Sequence, residues 1–486
     1  MRHPLLIARL LTLTLLASVS AQSTTPKPLN VVLVLVDDLG WMDLSCQGSK
    51  YYATPNIDRL AASGVRFTDA YAACAVCSPT RAAVMTGRYP ARTGVTDWIR
   101  ARFQRRGGKT PAKNPTEYVG GPGRRLLCPP NPFWLELEER TLAEVLKSAG
   151  YSTCHIGKWH LGDAKWFPQK QGFDENFGGC DYGQPPSYFD PYTNKRLQQG
   201  IPHLKPRKKG EYLTDREADE AAGFITRNKD KPFFLYLAHY AVHTPIQAKK
   251  DLTEHYQKKP KTEQKNAKYA AMVHSVDDAM GKVLAALDQN GVADHTLIVF
   301  TSDNGGLRGP THNAPLRSGK GYPYEGGIRV PLIISWPGVV KPGSVSKAPV
   351  TSVDLFPTIL DSAEISRPSD VELDGMSLVG HLHSSGRSRL RRDQLFWHFP
   401  HYRHNDILPY SIVRSGKWKL IKRYEGPTFE LFDLSADLGE QENLAAKETA
   451  LVEELDGALM AHLQAVGAKL PRANPNYQGK QKQKKK

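Results

Sequence analysis

Apolar residues fill Val31 to Val36 without a break, and most of them are β-branched. A short run of this kind suits a strand buried on both faces of a sheet. Phe233 to Tyr240, Thr296 to Phe300 and Val330 to Trp336 read the same way. Between these runs the period changes. Met272, Val273, Val276, Val283, Leu284 and Leu287 recur at helical spacing across 269–287. Thr54-Pro55 opens a helix that stops at Gly64, with Thr54 as N-cap. Thr141-Leu142-Ala143-Glu144 is a capping box for a helix ending at Gly150. Helices alternating with buried strands predict an α/β sandwich around a central mixed, mostly parallel sheet between helices. After residue 385 the pattern breaks into short segments such as Ser411-Ile412-Val413 and Trp418-Lys419-Leu420-Ile421, then a last helix over 449–466. This predicts a small C-terminal subdomain (385–470) with an antiparallel sheet, after a main domain over 22–384.

Two of the predicted strands end in acidic residues. Asp37-Asp38 follows the first, and Asp303-Asn304 follows the run at 296–300. In open α/β sheets ligands bind at the carboxyl ends of the strands. Carboxylate and amide oxygens suit a hard cation, Ca²⁺ or Mg²⁺. Lys158 and His160 are two apart, so on an extended segment they face the same side.

The chain ends change the picture further. Arg2 and Arg9 flank a short apolar run, Leu10 to Val19, and Val19-Ser20-Ala21 gives a small-residue cleavage site before Gln22. Residues 1–21 therefore read as a signal peptide, too short for a membrane span, and the mature protein as secreted or periplasmic. The formal net charge is +16 over 486 residues. Part of it sits in a lysine-rich tail, read as disordered over 471–486. More lies in Lys205-Pro206-Arg207-Lys208-Lys209 and around Lys258 to Lys261. Such charge draws polyanions, and for an exported protein acidic polysaccharide is the expected partner rather than nucleic acid, while any single cluster reads equally as solvated surface charge. Six cysteines are too few for a disulfide-held scaffold and fix no pairing. The segment from Arg100 to Pro132, rich in Arg, Gly and Pro, is a long loop of the functional or disordered kind.

Cys77-Ser78-Pro79-Thr80-Arg81, with Thr86-Gly87-Arg88 after it, resembles the sulfatase signature C-x-P-x-R and its downstream T-G-R. The second sulfatase signature is matched throughout Gly150-Tyr151-Ser152-Thr153-Cys154-His155-Ile156-Gly157-Lys158-Trp159-His160. His243-Thr244-Pro245 is similar to the family's H-x-P. Asn313 to Gly321, Glu325 to Pro331 and Glu430 to Leu434 resemble further family blocks. From Asn30 to about Leu444 the chain resembles type I, formylglycine-dependent sulfatases of the arylsulfatase A kind. Cys46, Cys74 and the basic loop after residue 100 depart from the pattern.

The resemblance implies an alkaline-phosphatase-like fold and a sulfuric ester hydrolase. It implies that a formylglycine-generating enzyme oxidises Cys77 to Cα-formylglycine, whose hydrate attacks sulfur and leaves a covalent sulfate hemiester. It gives Asp37, Asp38, Asp303, Asn304 and residue 77 to a cation, usually Ca²⁺, and Arg81 to the aldehyde hydrate or the carboxylates. Lys158, His243 and Lys320 would hold sulfate, with His243 or Lys320 protonating the leaving alcohol. His160 would be the base that frees sulfate. His239 and His312 read as structural histidines. A phosphonate or phosphodiester hydrolase of the same superfamily, or a non-catalytic binder of sulfated glycans, are the rival readings. A sulfated carbohydrate is the expected substrate. Arg100, Arg102, Arg105 and Arg106, and a second set of His398, His401, Tyr402 and Arg403, are candidates for reading the sugar.

Overall fold

The computed structural model describes residues 28–99, 111–403, 406–426 and 428–479. The predicted signal peptide and Arg100, Arg102, Arg105 and Arg106 lie outside them. The main sheet holds β1 (Asn30–Val36), β2 (Val65–Phe67), β3 (Ser152–Gly157), β4 (Glu175–Phe177), β5 (Phe233–Ala238), β6 (Thr296–Ser302), β7 (Leu332–Ser335) and β8 (Ser344–Ser346). Its order is β8-β2-β7-β6-β1-β5-β3-β4. Only β7 runs antiparallel to its neighbours, so the sheet is mixed and mostly parallel, as expected.

The unbroken apolar run of β1 has a simple cause. Successive side chains point to opposite faces, and both faces are covered. Val32, Val34 and Val36 pack on α1 (Pro55–Ser63), α4 (Leu213–Asn228) and α5 (Ala267–Gln289). Val31, Leu33 and Leu35 pack on α2 (Cys77–Thr86), α3 (Leu142–Ser148) and α6 (Leu355–Ser362). The capping box at Thr141 and Glu144 is formed. Thr54 precedes α1 but makes no side-chain cap; its hydroxyl bonds Asp58 and the Ser45 N–H instead.

A second sheet follows, antiparallel as predicted: β9 (Gln394–Phe399), β10 (Tyr410–Ser415), β11 (Trp418–Arg423) and β12 (Phe429–Asp433). One of its faces carries Val413, Leu420 and Leu431 against α7 (Thr449–Ala465). The other carries Leu395, Trp397, Phe399, Tyr410 and Ile412 against Tyr71, Cys74, Ala75 and Val76, the stretch leading into Cys77. The small sheet is therefore a wall of the site. Lys419, in β11, is buried where the two layers meet. Its ammonium donates to Glu325 Oε1 at 2.9 Å and lies 2.8 Å from Glu440 Oε1.

The disordered tail expected from residue 471 is ordered at its start. Arg472–Ala473 pairs with Leu126–Leu127, and the Asn474 amide donates to the carbonyls of Gly121 and Arg124. One buried amide satisfying loop carbonyls holds this segment, and the lysines that follow 479 lie outside the described residues.

Candidate active site

The four central strands β6, β1, β5 and β3 are parallel neighbours, so their carboxyl ends share one edge. That topology brings together Asp303 and Asn304 after β6, Asp37 and Asp38 after β1, His243 after β5, and Lys158 and His160 after β3. Cys77 starts α2 at the same edge, with Pro79 in its first turn. The free N–H groups and positive dipole end of a helix favour an anion there.

Lys158 Nζ donates to Asp37 Oδ2 at 2.6 Å, and Lys320 Nζ lies 2.6 Å from Asp38 Oδ1. Arg81 donates to Asp303 Oδ2 through Nε at 2.9 Å and to the Lys158 carbonyl at 2.6 Å. The other Asp303 oxygen accepts from the Asp38 N–H at 3.2 Å. Arg81 thus holds the carboxylate side of the site. Asp38 and His160 sit at φ 62° and 60°, a left-handed conformation that non-glycine residues adopt at a cost. The extended segment expected for Lys158 and His160 stops at Gly157, yet both reach Cys77.

Electrostatics follow from burial. Burial alone would raise the Cys77 thiol, but the Lys158 and Lys320 ammoniums, with contacts from His160 and His243, hold it well below its ordinary value. Position 77 therefore favours an anionic side chain. Burial pushes His160 down to about 4, so it is neutral near pH 7. Its Nε2 is 2.6 Å from the Ile99 carbonyl. A carbonyl only accepts, so Nε2 carries the hydrogen and Nδ1 keeps a lone pair. Nδ1 has no hydrogen bond of good geometry among the described residues, and the ring contacts Cys77. The same logic applies to His243, whose Nδ1 is 2.9 Å from the Thr244 carbonyl while Nε2 lies 3.6 Å from Asp38 Oδ2. Lys320 opposes burial through its contact with Asp38 and stays above its usual range.

Three buried oxygens, Asp37 Oδ1, Asp38 Oδ2 and Asn304 Oδ1, have no hydrogen-bond partner among the described residues. Atoms offered by Asp37, Asp38, Cys77 and His243 lie within 4.8 Å of one another. Unpartnered buried acceptors are costly, and a hard cation is the partner that such a donor set fits.

A family model described as Sulfatase matches residues 29–365, and one described as N-sulphoglucosamine sulphohydrolase, C-terminal, matches residues 319–469. The chain belongs to the sulfatase family. This sulfatase is 35% identical to a sulfatase of Formosa agariphila, over 92% of this chain and 89% of the relative. It is 38% identical to human N-acetylgalactosamine-6-sulfatase, over 74% of this chain and 66% of the relative. Among solved structures it is similar to Ps i-CgsB in complex with k-i-k-neocarrahexaose, with a TM-score of 0.75, 31% identity, and 90% and 93% of the two chains covered. No helix among the described residues is long and apolar enough to cross a membrane.

The remaining histidines of the sulfatase separate by environment. His239 is buried with Nδ1 2.6 Å from Glu217 Oε2, and His312 is exposed 3.4 Å from Glu263. His398 is buried, its nitrogens 2.7 Å from Ser411 Oγ and 3.2 Å from the Lys469 carbonyl. His401 is 2.8 Å from Thr96 Oγ1, and the Tyr402 hydroxyl donates to Glu425. Arg403 alone of that set has no side-chain hydrogen bond or ion pair among the described residues.

Two parts of the site carry no sequence signal. Ser78 Oγ donates to the His160 carbonyl at 3.0 Å and accepts from the Ile99 N–H at 2.9 Å, tying the start of α2 to both. Gly183 leaves room for the His160 ring, since a Cβ there would lie 2.8 Å from Cε1. The variable place in C-x-P-x-R is the only hint of Ser78.

Proposed function

We propose that this sulfatase is exported and removes sulfate from a carbohydrate, with Cα-formylglycine at position 77 and a Ca²⁺ ion. The observation that carries the reading is the convergence of two lysines and two histidines on a buried residue 77 beside unpartnered acidic oxygens. The sugar comes from its relatives: one is named for N-acetylgalactosamine-6-sulfate hydrolysis and a solved neighbour holds k-i-k-neocarrahexaose.

Asp37, Asp38 and Asn304 would hold the cation with residue 77, with Asp303 beside them, anchored by Arg81. A Ca²⁺ ion held there would supply Lewis-acid polarisation of a sulfate oxygen and favour an ionised nucleophile. The oxidised side chain supplies a hydrate with one hydroxyl to attack sulfur and a second whose deprotonation releases sulfate. Lys158 and Lys320 neutralise the sulfate oxygens, and the α2 N-terminus adds its N–H groups. Neutral His160 takes a proton at its free Nδ1, because its Nε2–H is committed to Ile99. His243 protonates the leaving sugar oxygen from Nε2. Its Nδ1 lies 2.9 Å from the Thr244 carbonyl, which leaves Nε2 as the nitrogen on the Asp38 side of the site. Lys320, held charged by Asp38, is the poorer donor and serves as a sulfate ligand.

The test joins mass and turnover. Made together with a formylglycine-generating enzyme, the peptide containing Cys77 loses about 18 Da relative to the thiol, and the protein releases sulfate from sulfated saccharides. Cys77→Ala abolishes release. A thiol that stays unmodified in two competent hosts, or faster turnover of phosphodiesters than of sulfate esters, overturns the reading.

A further inference from the structure

Residues 400–403, which follow β9, and Ile407, ahead of β10, sit against the site because the small sheet packs on the stretch before Cys77 and on Tyr324 and Ile328 after Lys320. Arg403 and Ile407 exchange backbone hydrogen bonds at 3.0 and 3.2 Å. Ile407 is buried and anchors the pair. Both side chains press on Gly321, the residue after Lys320. A Cβ there would lie 2.9 Å from Ile407 Cδ1 and 3.1 Å from Arg403 Nε. Gly321 also has φ +87°, and its N–H bonds the Ala75 carbonyl at 2.8 Å. Arg403 is thereby fixed beside the residues on either side of the sulfate position. Its charge is felt at Lys320.

The guanidinium lies 5.8 Å from the centroid of the Trp98 ring. Trp98 precedes Ile99, whose carbonyl holds His160. Three other arginines of the C-terminal region are each paired with an acid: Arg392 with Asp354, Arg414 with Asp69, Arg423 with Glu430. Arg403 has no acid within ion-pair distance among the described residues, and its Nε is buried without an acceptor. A partly buried cation with an unpaired donor costs stability unless something else pairs it. Arginine also presents a planar fork that matches carboxylate and sulfate oxygens.

We propose that Arg403, with Trp98 as an apolar platform beside it, forms a second anion position next to the scissile sulfate. The preferred saccharide then carries a second anionic group, a sulfate or a carboxylate, close to the ester that is cut. The inference rests on the carbohydrate reading above. It narrows the substrate class to saccharides with two neighbouring negative groups.

The experiment uses the matured full-length protein and matched saccharides. Each pair shares one sulfate ester; one member adds a second sulfate, the other pair adds a uronic carboxylate. The two arms distinguish which anion is read. The wild type favours at least one doubly anionic member in kcat/KM. Arg403→Ala lowers kcat/KM on that member by about 10–100-fold, mostly through KM, as loss of a charged hydrogen bond predicts. Its preference ratio falls towards one, and Arg403→Lys restores part of the ratio. An equal fall on both members marks a structural role and overturns the inference. So does a wild type with no preference between the members of either pair. A wild type that cleaves an aryl sulfate but no saccharide sinks the carbohydrate reading and this inference with it.

Discussion

Replacing Lys419 by methionine keeps most of the side chain's length and removes its charge. Lys419, Glu325 and Glu440 are all 0% exposed at their side chains. Glu325 keeps other partners, accepting from the Tyr71 hydroxyl at 2.7 Å with Arg329 3.3 Å away. Burial raises Glu325, but Lys419, Arg329 and Arg414 outweigh it and hold it near 2. Glu440 keeps only the Glu325 N–H at 2.7 Å. Removing one partner of a buried ion cluster costs about 3–5 kcal/mol. At ~2.1 cal/mol/K of unfolding entropy per residue, a chain of this size loses roughly 1 °C per kcal/mol, so the midpoint drops by roughly 3–5 °C. The drop depends on pH, and the sign is fixed. Burial pushes Glu440 up to about 7 even with Lys419 present. The native state therefore binds this proton more tightly than the unfolded chain. Stability falls as pH rises from the unfolded carboxylate value through the native one. In the wild type that decline ends near pH 7. In Lys419→Met the native value climbs further, and the decline continues at up to about 1.4 kcal/mol per pH unit. Thermal scans at pH 5, 7 and 8.5 read this directly. The gap between variant and wild type widens with pH, and adding Glu440→Gln closes part of it. A gap under about 1 kcal/mol, or one that does not change with pH, refutes the argument.

Three further outcomes are expected. EGTA stops sulfate release and Ca²⁺ restores it, while Asn304→Ala raises the Ca²⁺ concentration needed for half activity; activity indifferent to EGTA contradicts the cation site. His155 is buried, and burial pushes it down to about 3. The unfolded chain takes its proton first, so stability is lost as pH falls below the ordinary histidine value. His155→Phe, which matches the surrounding Trp159, Phe173 and Tyr236 rings, makes the acid limb of stability against pH shallower by about one proton; an unchanged slope rejects this. Gly183→Ala displaces the His160 ring and cuts kcat more than it lowers the unfolding midpoint, and equal activity to wild type would show that the close approach is not needed.

The central strands were readable because β1, β5 and β6 are buried on both faces, so their composition announces them. β2, β4 and β8 span only three residues each, too few for a period, and the reversed direction of β7 leaves no trace in an apolar run. Asp37, Asp38, Asp303 and Asn304 stood out because oxygen-bearing side chains follow two buried strands, and the other charged members and Cys77 stood out through the motifs they share with sulfatases. Ser78, the Ile99 carbonyl and Gly183 did not, since a backbone acceptor or a close approach has no side-chain pattern. The set His398, His401, Tyr402 and Arg403 is uniform in sequence. Its members part only through distant partners: Lys469 for His398, Thr96 for His401, and for Arg403 the Trp98 ring with no acid among the described residues.

Cys77 is 3% exposed once the chain has folded, and this sets a deadline. β1 cannot gain its neighbour β6 until residues 296–302 have been made. At ~5–20 residues per second, the roughly 220 residues that separate Cys77 from the end of β6 take about 10–45 s to synthesise. Any enzyme that oxidises this cysteine has that interval, plus the time to folding, to reach an open segment. On the maturation proposed above, a chain that folds first shuts residue 77 away as a thiol, so the yield of active protein would be set by a race rather than by an equilibrium.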